Sequence, residues 1–190
     1  MIPSSDTRPT GDALRRRLSE IGVPLFEPTP NVPPVRGEAE WAQVVTDLLR
    51  SGDERLMAAI PCVLALADHS SARVAAQAAV AQPAATERLG FIHWLARCLV
   101  VTRGPDFQFL FGCRRSLPRL EFEPSGVPDP EERHGEIGVG AAQDLDERLT
   151  VAAEQTFDLW IRILWAQRSG RTEAASRLRE MLDSVVQAGT

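Results

Sequence analysis

Lysine is missing from this chain: all 21 basic residues among its 190 are arginine. Tyrosine is missing as well. Without lysine there is no P-loop lysine, no Schiff base and no pyridoxal phosphate site. Arginine and alanine are both plentiful, which fits a GC-rich coding bias. Cysteine is scarce, and Cys62, Cys98 and Cys113 form an odd number with no CxxC spacing. That argues against a disulfide framework and against a zinc knuckle. Cys62 and Cys98 sit inside apolar helical patterns, where a free thiol behaves as a small hydrophobe. Long apolar runs are also lacking. The longest, Leu56 to Ala67, spans 12 residues and carries Pro61, too short for a membrane span. The N-terminal MIPSSDTRPTGD has no apolar core of the signal-peptide kind. A cytoplasmic location is the expectation.

What is present is typical of a folded domain. Apolar residues make up 44% of the chain, and the length suffices for one real core. The net charge of −5 gives no general attraction to nucleic-acid phosphate. Arg15, Arg16 and Arg17 form a local basic triplet, for which a solvated helix face is the commoner reading.

Residues 1–36 read as a tail, a short helix from Asp12 and a connector. Leu14, Leu18 and Ile21 share one face of that helix. Residues 22–37 hold five prolines; each removes an amide donor and restricts its predecessor, which predicts extended chain. Residues 37–190 read as the helical domain. Trp41, Val44, Val45, Leu48 and Leu49 fall at i, i+3, i+4, i+7 and i+8. Gly52 closes that helix and Asp53 caps the next, in which Pro61 predicts a kink or break. An alanine-rich helix follows over about 71–82. The next, about Ala84 to Val101, carries Leu89, Ile92, Leu95, Ala96, Leu99 and Val100. Phe91 and Trp94 widen its stripe, which predicts a central position. A loop-rich insert then occupies about 103–142, and FQFLF and RLEFE within it alternate enough to allow a small β-hairpin at 107–123. Two helices close the chain, over about 143–167 and 173–187. In the first, Phe157, Trp160, Ile161 and Leu164 share one side, Trp165, Leu159 and Ile163 widen it, and Asp158 pairs with Arg162 at i, i+4. A helix this apolar is either enclosed or reserves a face for a partner, and enclosure is the commoner outcome. The fold class expected is therefore all-α: a single-domain irregular bundle of six to seven helices, with a hairpin insert left open.

Catalytic motifs occur only at the level that arginine abundance produces. Cys113 and Arg119 satisfy the C-x5-R spacing of cysteine phosphatases, but RRSLP between them has no glycine to let backbone amides converge on phosphate. Roughly one chain in three of this composition matches that spacing by accident. Arg88 and His93 satisfy R-x4-H in a helical segment, the spacing of the ribonuclease motif in the all-α HEPN family. A chain with three histidines and this much arginine matches it about once by accident. A buried, satisfied histidine is the commoner reading of His93. Asp144 and Asp146 form DxD without the Gly-Ser turn of a nucleotidyltransferase, and acidic residues at a helix start follow from the macrodipole alone. Gly138-Val139-Gly140 lacks a third glycine, and His69 and His134 have no ligand-spaced partners. Neither a metal nor a cofactor is expected.

Trp41 with LLRSGDERLMAAIPCVLAL (48–66), ERLGFIHWLARCLV (87–100) and LEFEPSGVPDPEERHGEIGVGAA (120–142) together resemble a group of uncharacterised bacterial helical proteins encoded beside minimal nucleotidyltransferases. The resemblance covers about 38–167 and carries no catalytic residue. It implies a companion or antitoxin-like neutraliser of a nucleotidyltransferase. The leading expectation is thus a non-enzymatic interaction protein that contacts a protein partner or a second copy through Trp160 and Trp165, with Phe107, Phe109 and Phe111 as a second patch, because large aromatics carry interface energy disproportionately. The alternative is a HEPN-like ribonuclease or RNA-binding protein that uses Arg88 and His93.

Overall fold

A computed structural model of the chain describes residues 10–23, 37–67, 70–103, 106, 110 and 141–187. These residues are all-helical or connecting turns, with no strand among them. The first helix, α1 (Gly11–Glu20), buries Leu14 and Leu18 and is capped by the Thr10 side chain. Two of the three consecutive arginines are held by acids on the same helix: Arg15 by Asp12 and Arg17 by Glu20, each at 3.3 Å. The solvated reading holds for Arg16, which is exposed, and not for Arg15, whose side chain is 17% exposed. α1 ends in a Schellman turn. The Val23 amide donates to the Leu18 carbonyl at 2.9 Å and the Gly22 amide to that of Ser19 at 3.2 Å. The turn needs the left-handed backbone of Gly22 (φ 99°), and it buries Val23 against Leu18.

Helix α2 (Glu38–Ser51) buries Val44, Val45, Leu48 and Leu49 of the stripe read from the sequence and leaves Trp41 partly buried. Gly52 closes it in the left-handed conformation, and the Asp53 carboxylate accepts the Arg55 amide at 3.0 Å, capping α3 (Glu54–Met57). Pro61 acts as expected, but the break falls ahead of it. In a continuous helix its ring would clash with the carbonyl four residues back, at Met57. α3 stops there, Ala58 and Ala59 turn, and α4 (Ile60–Ala67) takes Pro61 into its first turn, where the missing amide costs nothing.

Every residue from Leu56 to Ala65 is buried, and α4 packs against α2, the alanine-rich α5 (Ser71–Ala81), α6 (Thr86–Thr102) and α7 (Ala141–Arg168). The centre of the domain is therefore α4. The widened stripe of α6 had suggested that position for α6 instead. α6 packs on α4, α5 and α7, with Leu89, Ile92, Leu95, Ala96 and Val100 buried and Phe91, Trp94 and Leu99 only partly so. The long α7 and α8 (Thr172–Gln187) form an antiparallel hairpin, the most extensive helix pair in the molecule. A second Schellman turn joins them, with Gly170 at φ 69° and the Arg171 amide on the Ala166 carbonyl at 2.8 Å. Of the hairpin expected over 107–123, Leu110 is helical, as is the preceding Asp106; the rest lies outside the described residues.

Candidate functional site

The two residues with the strongest catalytic spacing both lie on α6. A 3-10 turn over Pro83–Ala85 leads into this helix, and the Thr86 hydroxyl donates back to the Pro83 carbonyl at 2.8 Å. His93 is 3% exposed. Burial, and secondarily the Arg97 guanidinium one turn on, push its pKa down to about 4. The imidazole is thus neutral across the physiological range. A general acid or base needs reach to its substrate and a pKa near the working pH, and His93 in this chain has neither. Arg88 is half-buried. Five residues at about 100° each send its side chain off about 140° around the helix from His93, so the two do not converge within one chain.

Cys62 is fully buried, and burial pushes its thiol above the ordinary range, the state of a structural cysteine. Asp144 and Asp146 fall in the opening turns of α7. Among the described residues no group of three histidine, cysteine or acidic side chains could hold a metal ion. Cys113, Arg119, His69, His134 and the 138–140 glycine pair lie outside the described residues. A cleft of about 650 Å³ opens where α3 meets the α7–α8 hairpin. Val151, Ala152, Gln155 and Val185 line it together with Arg55, Glu147 and Arg148. Among the described residues that line it there is no thiol, hydroxyl or imidazole.

The expected contact aromatics divide. Trp160 is 0% exposed. Its ring meets Phe157 edge-on at 5.2 Å, and its indole N–H donates to the Gly22 carbonyl at 3.0 Å. That bond ties α7 to the Schellman turn of α1, so the ring is spent inside the core. Trp165 is partly buried and donates to the Asp106 carboxylate at 3.2 Å. Phe107, Phe109 and Phe111 lie outside the described residues. Arg162 pairs with Asp158 at 2.7 Å as its i, i+4 spacing predicts, and Arg103 from the end of α6 joins the same carboxylate.

The sequence reading passed over a different surface, the outward side of α6. Phe91 and Trp94 are only partly buried there, with ring centroids 5.9 Å apart, and Val101 is 75% exposed. Wheel positions show why. Phe91, Trp94, Cys98 and Val101 fall within about 80° of one another and roughly opposite Ile92, Ala96 and Val100. The signal was legible as a helix apolar on both sides, which is ordinarily a buried one. Comparison with protein-family models, with curated proteins and with solved structures found no match in any of the three.

Proposed function

We propose that this chain works by contact and not by covalent chemistry, as a bacterial cytoplasmic companion protein, with a nucleotidyltransferase as the partner class and an antitoxin-like neutralising role. The observation that supports the reading is the outward side of α6, where Val101 is 75% exposed beside the partly buried Phe91 and Trp94. Clustered exposed apolar groups on a folded chain mark contact sites. The state of His93 supports the same reading, since a neutral, enclosed imidazole has no reach to an RNA phosphodiester. No described helix is long and apolar enough to cross a membrane.

The test pairs two measurements on the full chain. Co-expression with a minimal nucleotidyltransferase is followed by affinity capture and determination of stoichiometry, and purified wild type and His93→Ala are assayed for RNA cleavage. A defined complex that slows the transferase, with no cleavage by either form, is the expected result. Cleavage by wild type that is lost in His93→Ala, without a stable complex, replaces the contact reading with the ribonuclease one.

A further inference from the structure

We draw no further inference here: the strongest candidate, the cleft between α3 and the α7–α8 hairpin lined by Arg55, Arg148, Val151 and Val185, carries the exposed Glu147 beside the exposed Arg148, and nothing in the structure shows what fills it.

Discussion

Acid should destabilise this protein through His93 before its carboxylates titrate. The perturbation is a fall from about pH 7 to about pH 5. In the unfolded chain the imidazole titrates near 6.5, whereas in the fold burial and Arg97 hold it at about 4. Above 6.5 both states are neutral and the histidine has no effect on stability. Between 6.5 and 4 the unfolded chain binds a proton that the folded one refuses, so stability falls with pH. The loss is about 2 kcal/mol at about pH 5 and saturates at about 3 kcal/mol once both states are charged. Urea denaturation at the two pH values measures it, with His93→Gln as the control. Gln cannot titrate, while the carboxylates and the other two histidines are common to both proteins. Each protein is compared only with itself across pH, so any fixed cost of the substitution cancels. The wild-type loss should exceed the His93→Gln loss by about 2 kcal/mol. Parallel losses in the two proteins, or an NMR titration that places His93 near its ordinary pKa, would refute the claim that the imidazole is enclosed and neutral.

Three further outcomes test the packing. Trp160→Ala should cost about 3–5 kcal/mol in urea denaturation, because the indole is enclosed and its N–H holds the Gly22 carbonyl; a cost under about 1 kcal/mol would mean that the ring is not core. Gly22→Ala should cost about 1–2 kcal/mol, from the positive φ alone, since the nearest side-chain atom to an added Cβ, Leu66 Cδ1, is at an ordinary 3.8 Å; unchanged stability would show that the turn relaxes. In a variant with Cys98 and Cys113 replaced by serine, Cys62 should resist a thiol reagent until urea unfolds the chain, and rapid labelling of the native protein would contradict its burial.

Helix α2 shows how much of the fold was legible beforehand. Its apolar spacing, its glycine stop and the Asp53 cap that follows are interactions between residues a few positions apart, and each appears where the pattern puts it. The pairing of Asp158 with Arg162 is of the same kind. The break at Pro61 was legible in type but displaced in position. The ring would clash with the Met57 carbonyl four residues back, so the interruption falls at Ala58 and Ala59, ahead of the proline.

The candidate site was less legible. Trp160 and Trp94 look alike in sequence, each an indole on an apolar helix. One donates to a carbonyl 138 residues away and disappears into the core, while the other lies partly exposed on the side of α6. By itself, then, the sequence determined the helical class, the caps and stops, and the absence of lysine chemistry, because propensity, periodicity and side-chain inventory are local properties. Only the tertiary structure decided which apolar side is enclosed, that α4 and not α6 is central, and that His93 is neutral. Burial depends on what distant segments place against a residue, and no spacing along one helix records that.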